Sequence, residues 1–177
     1  KAASHEILLL SDADCKPVSA DWISRMSSSY SSGIELTIGY GGYMKRPGFL
    51  NRIIRMDTVF TAIQYLSSAL GGHAYMGVGR NLSYRKSLFF RNKGFASHNH
   101  VLSGDDDLFV NETARPDNVS VQLHPDAFTL SVPRTTFKGW FRQKKRHVST
   151  SSHYQPRNRW VIGSLFFSQF LFYACGT

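Results

Sequence analysis

Two carboxylates one residue apart, Asp12 and Asp14, close the stretch EILLLSDADC at residues 6–15. Four apolar residues, Ile7 to Leu10, run straight into them. Two such acids repel each other unless a cation lies between or beside them. Oxygen ligands select Mg²⁺ or Mn²⁺, and such ions usually bridge protein carboxylates to phosphates. A solvated turn is the plainer alternative, since Asp is common in turns. The apolar run ahead of the pair favours the metal, because ligands of an open α/β sheet bind beyond the carboxyl ends of its strands.

A second acidic cluster, Asp105-Asp106-Asp107, lies about 90 residues further on. Three adjacent acids suit a helix N-terminus, where the dipole offsets part of their repulsion. They also suit a general base or a second metal ligand. A carboxylate among carboxylates has a raised pKa, as a base working near neutral pH requires. Gln143 and Arg146 stand in FKGWFRQKKRH, residues 137–147. The forked donors of Arg can hold a diphosphate, and the same segment reads equally as a basic amphipathic helix on a membrane surface. Gly77, Gly79 and Asn81 form a cluster that is either a tight turn or a close backbone approach to a ligand. His98 and His100 flank Asn99; zinc is conceivable, but two histidines without further ligands are more often ordinary loop residues.

The elements that must position these groups follow from periodicity and turn formers. Residues 6–11 form a short apolar run bounded by turn formers, a buried strand. Ser19 suits a helix N-cap, with Trp22, Ile23, Met26 and Tyr30 at helical spacing to about Tyr30. Residues 34–43, IELTIGYGGY, alternate like one strand. From about Leu50 to Leu70, Ile53, Met56, Phe60, Ile63, Leu66 and Leu70 mark the apolar face of a long helix. Its other face carries Arg52, Arg55 and Gln64, and Gly71-Gly72 ends it. A short strand is expected near Asn81 to Arg85, a helix over SGDDDLFVNETA, and one or two strands in VSVQLHPDAFTLSV. Strands alternating with helices predict an α/β sheet.

Charge and composition narrow the function. The net charge is +9, yet residues 1–126 hold 13 Lys and Arg against all 12 acids, whereas residues 127–177 hold 8 Lys and Arg and no acid. A uniformly basic nucleic-acid binder would look different. Cys15 and Cys175, at opposite ends of the chain, give neither a disulfide framework nor metal-site spacing, so a reducing compartment is expected. Trp160 to Thr177 is 18 residues without a charge, at the lower limit of the roughly 17 to 25 residues of a spanning helix. The chain divides accordingly into an α/β part at 1–136, an interfacial basic helix and loop at 137–159, and the start of a membrane helix at 160–177.

In their order along the chain, LLLSDADC, YMGVGRNLSYRKSLFF, SGDDDLF and RQKKRH resemble the family 2 glycosyltransferases. The nearest type is the membrane-anchored inverting enzymes with a GT-A fold. The resemblance covers nearly the whole chain and implies a partial GT-A mixed sheet flanked by helices. It implies Asp14 as the metal-coordinating acid, with Asp12 on the nucleotide side or reaching the metal through water. It further implies Asp106 as catalytic base, with Asp105 in the place usually held by Glu or Asp and the register uncertain by one. Gln143 and Arg146 fall on the diphosphate and acceptor-gating motif, and Gly77, Gly79 and Asn81 on the acceptor side. His147 stands where the family has Trp. The family's first β-α-β unit, which grips the nucleotide base, has no counterpart, so a fragment is expected.

The implied partners are a nucleotide-sugar donor, UDP- or GDP-linked, with Mn²⁺ or Mg²⁺ and a glycan or lipid acceptor. The implied place is the cytoplasmic face of the cell inner membrane, in polysaccharide biosynthesis, without nucleic acid. Basic residues ahead of the apolar run agree through the positive-inside rule. Two other classes stay open: a two-metal nucleotidyl transferase built on DAD and GDD, and a non-catalytic membrane-anchored binding protein.

Overall fold

The computed structural model describes residues 3–96 and 104–175, so His98 and His100 lie outside the described residues. The order of elements is β1 (Ile7–Leu10), β2 (Cys15–Pro17), α1 (Trp22–Ser27), β3 (Leu36–Gly39), β4 (Gly41–Tyr43) and α2 (Phe49–Leu70). There follow β5 (Leu82–Arg85), α3 (Lys86–Arg91), α4 (Asp105–Thr113), β6 (Val119–Gln122), β7 (Thr129–Ser131), α5 (Phe137–Thr150) and α6 (Pro156–Cys175). Two mixed sheets result, ordered β1-β5-β3-β6 and β2-β7-β4. In the first, β5 runs antiparallel to both β1 and β3, and β3 pairs parallel with β6. In the second, β7 is antiparallel to β2 and parallel to β4.

The single strand expected at residues 34–43 is two strands in different sheets. The break falls at Tyr40, whose carbonyl accepts from the Asn81 side chain at 2.9 Å and from the Thr129 N–H at 3.2 Å. A side chain at Gly39 would meet the Asn81 amide nitrogen at 2.5 Å, so glycine lets that amide wedge between the sheets. The core lies between the four-stranded sheet and α4: Leu36, Ile38, Leu82, Phe109 and Val110 are fully buried.

The long helix forms where expected but turns the other way. Asn51, Ile54, Thr58, Ala62, Tyr65, Leu66 and Ala69 are its buried residues, so Leu66 alone of the expected stripe is buried, whereas Met56, Phe60, Ile63 and Leu70 are exposed. α2 lies against β4 and β6. Small and hydroxylated residues permit that approach, and the hydroxyls are satisfied locally: Thr58 donates to the Ile54 carbonyl at 2.7 Å and Tyr65 to the Gly39 carbonyl at 3.0 Å.

The C-terminal region also departs from expectation. α5 continues to Thr150 and α6 opens at Pro156, so the loop expected at 148–159 shrinks to a turn. Among the described residues no helix is long and apolar enough to cross a membrane. α6 opens with Arg157 and Arg159. The membrane-type helix expected at 160–177 is therefore corrected to a 20-residue α6 with a basic start.

Candidate active site

β1 delivers the first acidic pair. The chain turns straight after Leu10, and the Cys15 N–H donates to the Asp12 carbonyl at 3.0 Å. The turn brings one oxygen each of Asp12 and Asp14 and the Cys15 Sγ within 4.8 Å of one another. Both acids are exposed. Cys15 Sγ lies 2.9 Å from Ser131 Oγ, and burial pushes the thiol up, while Asp12 and Asp14 offer two carboxylate oxygens. A hard divalent cation fits that donor set. Partial desolvation on its cavity side first, then Asp14 and Asp105, raise the Asp12 pKa against the pull of Arg80 and Arg146. The two acidic clusters and the basic helix therefore meet at one place.

α4 delivers the second cluster, with its three acids in the first turn. Gly104 precedes them at φ 83°, and a Cβ there would meet Thr150 of α5 at 2.5 Å. Each acid has a different environment. Asp105 is exposed. Asp106 is half-buried and accepts the Gly79 N–H through Oδ2; burial raises its pKa, with Asp105 adding and backbone N–H groups of Gly79 and Asp107 opposing. Asp107 is buried and accepts from the Tyr154 hydroxyl; burial, then Asp106, push it well above the usual carboxylate range.

The glycines are matched to these acids. A Cβ at Gly79 would lie 2.7 Å from Asp106 Oδ2, and one at Gly77 would lie 2.9 Å from Leu82 and 3.0 Å from Val110. Gly79 thus makes room for the carboxylate and Gly77 for the packing behind it. Asn81 is fully buried, with its side chain spent inside the fold: Oδ1 accepts from Trp22 Nε1 at 3.0 Å, and Nδ2 donates to the carbonyls of Tyr40 and Ala127.

α5 closes the site. Thr136 caps it by accepting the Gly139 N–H at 3.1 Å. Gln143 donates to the Tyr43 hydroxyl at 3.0 Å, and Lys144 pairs with Asp57 of α2 at 2.8 Å. Between α2, α5 and the acidic ends lies a cavity of about 280 Å³, lined by Asp12, Asp106, Gln143, Trp140, Tyr65 and Tyr154 among others. His147, in the place of the family's Trp, also lines it. His147 is solvent-exposed on its outer side; desolvation by the cavity wall, then the charges of Arg146, Arg80 and Lys144, lower its pKa.

Sequence reasoning missed Arg80, which lines the cavity with its guanidinium 4.6 Å from the Tyr43 ring centroid and its charge acting on Asp12. The signal was its position between Gly79 and Asn81. Tyr43 and Tyr154 carried none, because each reaches the cavity through tertiary packing alone.

An α/β domain that gathers metal-capable carboxylates, a deeper carboxylate and the Arg80 guanidinium at one cleft, with the charge of Arg146 acting on it, has the composition of a site for diphosphate-linked group transfer. The chain shares its fold with the mannosyltransferase PcManGT from Pyrobaculum calidifontis, solved in complex with GDP-Man and Mn²⁺, at TM-score 0.58 and 16% identity over 85% of this chain. The chain spans 39% of that protein. No protein-family model and no curated protein matches it.

Proposed function

We propose that the chain is part of a family 2, GT-A-type glycosyltransferase that moves a sugar from a nucleotide-sugar donor to an acceptor hydroxyl by inverting displacement. One observation carries the reading. Asp12, Asp106, Arg80 and Gln143 line a single cavity although about 130 residues separate the first from the last.

Asp12 and Asp14 would hold Mn²⁺ or Mg²⁺, which when bound supplies neutralising charge to a leaving diphosphate. Arg80 and Arg146 add fixed positive charge on the same side, already set before the reaction. Asp106 takes the acceptor hydroxyl proton as that oxygen attacks the anomeric carbon. The bond from that carbon to the diphosphate oxygen breaks, and the nucleoside diphosphate leaves with the bonding pair. The raised pKa of Asp106 suits it to that proton. Asp105, nearer Asp12 by its effect on it, would tune the metal side. His147 and Trp140 would meet the acceptor, a glycan or the head of a lipid.

The GDP-mannose and Mn²⁺ of the structural neighbour make a GDP-linked donor with Mn²⁺ the first pair to test, with UDP-linked sugars next. The amphipathic pattern of α5 supports work at a membrane, proposed as the cytoplasmic face of the inner membrane, where nucleotide sugars are found. The test is a transfer assay on the full-length enzyme. Asp106→Asn should lose at least about 100-fold in kcat while still binding nucleoside diphosphate with Mn²⁺, and Asp14→Ala should lose that binding. Unchanged turnover in Asp106→Asn would sink its role as base.

A further inference from the structure

Three consecutive residues of β4, Gly41-Gly42-Tyr43, lie against Arg80. A Cβ at Gly41 would stand 3.1 Å from Arg80 Cβ and 3.5 Å from its Nε, so glycine leaves the arginine stem its path. The Gly42 carbonyl accepts from the Arg80 guanidinium at 3.4 Å, and the centroid of the Tyr43 ring lies 4.6 Å from Arg80 Cζ. A cation within about 6 Å of an aromatic centroid is attracted to the face of the ring. The backbone of Arg80 is tied to the same sheet. Its carbonyl accepts from the Thr129 hydroxyl at 2.9 Å, and Thr129 pairs with Gly41.

Tyr43 has a second partner, on α5. Its hydroxyl accepts from Gln143 Nε2 at 3.0 Å, across 100 residues of sequence. The Tyr43 backbone is itself fixed: it pairs with Ser131 of β7, whose carbonyl accepts the Met44 N–H at 3.0 Å. Tyr43, Arg80 and Gln143 are each half-buried and all line the cavity. One stiff side chain on a strand thus joins the guanidinium that acts on Asp12 to a polar group on the closing helix. Without it, Arg80 and Gln143 would keep free torsions that a bound ligand must freeze, and both affinity and rate suffer from that ordering.

We propose that Tyr43 is a positioning residue of the transfer reaction, holding Arg80 by its ring and Gln143 by its hydroxyl where a nucleoside diphosphate meets them. This rests on the transferase reading and adds a residue that acts through two others. The test is isothermal titration of GDP, and of UDP, with Mn²⁺ into the full-length enzyme, alongside the transfer assay. Tyr43→Leu removes the ring and should weaken the diphosphate that binds the parent about fivefold or more. Binding of Mn²⁺ alone and helix content by circular dichroism should not change. In an Arg80→Ala background the same change should cost less than about twofold, because no guanidinium is left to hold. Tyr43→Phe keeps the ring and should bind the diphosphate within about twofold of the parent. Its kcat should nevertheless fall about fivefold, and that fall should vanish in a Gln143→Ala background.

Gly41→Val reaches Arg80 without touching Tyr43 chemistry, and it should weaken the diphosphate while sparing Mn²⁺ alone. It decides the matter for Arg80 if Tyr43→Leu does not fold. Parent-like affinity in the folded ring or glycine variant would overturn the inference, as would a loss in Tyr43→Leu that persists in full without Arg80, since Tyr43 would then be a general support of the cavity. A Tyr43→Phe effect that adds in full to Gln143→Ala would overturn the part played by the hydroxyl. A parent that binds neither diphosphate would remove the transferase reading and this inference together. A parent that binds one, with variants that match it, would remove the inference alone.

Discussion

Gly79 is the residue at which the site has least tolerance. Its N–H holds Asp106 and its missing Cβ leaves room for Oδ2, since an added carbon would stand 2.7 Å from that oxygen. Gly79→Ala must push the carboxylate off its position, and a displacement of about 1 Å near the chemistry costs about 100-fold in rate. The expected result in the full-length enzyme is a kcat lower by that factor with the thermal midpoint little changed; parent-like kcat would show that Asp106 need not sit there. Asp107, beside it, has a different consequence. Its folded pKa is raised, so above the ordinary carboxylate range the folded state keeps a proton that the unfolded chain gives up. That preference is lost as pH rises through the folded value, so stability falls in that direction. Asp107→Asn cannot ionise and can still accept from Tyr154. Its thermal midpoint relative to the parent should climb as pH rises above the ordinary carboxylate range, and a difference flat with pH would refute a buried ionisable Asp107.

At the scale of elements, α5 carries Trp140, Gln143, Lys144 and His147 of the cavity lining, and Thr136 starts it. Thr136→Ala removes that N-cap acceptor at a cost of about 1 kcal/mol, read as a lower urea midpoint, whereas Thr136→Ser should be close to the parent. Equal midpoints for the two variants would show the cap to be dispensable. Helices were legible in the sequence as to existence and approximate ends, but α2 shows where periodicity stops. Its stripe of Ile53, Met56, Phe60 and Ile63 is the strongest apolar repeat in the segment, and most of it is exposed. The buried side is instead built of Ile54, Ala62, Leu66 and Ala69 with Asn51, Thr58 and Tyr65, a face that mixes large apolar, small and hydrogen-bonding residues against β4 and β6. A hydrophobic pattern says that a face needs cover; it does not say that this domain provides the cover. The split of residues 34–43 into β3 and β4 was hidden for a related reason. It depends on the Asn81 amide, about 40 residues away in sequence.

For the molecule as a whole, the acidic turns were legible individually, and their convergence was required by the proposed chemistry but not visible in either motif. The fold supplies it by ending β1 and beginning α4 at the same edge, with Arg80 and α5 above them. The resulting cluster sets Asp12 among the charges of Asp14 and Asp105, a repulsion that Arg80 and Arg146 offset in part and that a bound cation would relieve further. Mn²⁺ together with a nucleoside diphosphate should therefore raise the thermal midpoint of the chain. For a ligand that binds only the folded state, the gain at a concentration one hundred times Kd is about 2.7 kcal/mol. Mn²⁺ alone should give less, because the diphosphate supplies further ligands and meets Arg80 and Arg146. Asp14 is exposed, so Asp14→Ala should leave the unliganded midpoint within about 0.5 kcal/mol of the parent and abolish the gain. Arg80→Ala should spare the response to Mn²⁺ alone and reduce the extra gain from the diphosphate. A gain that survives Asp14→Ala would place the cation elsewhere, and a diphosphate response that ignores Arg80 would separate that guanidinium from the donor.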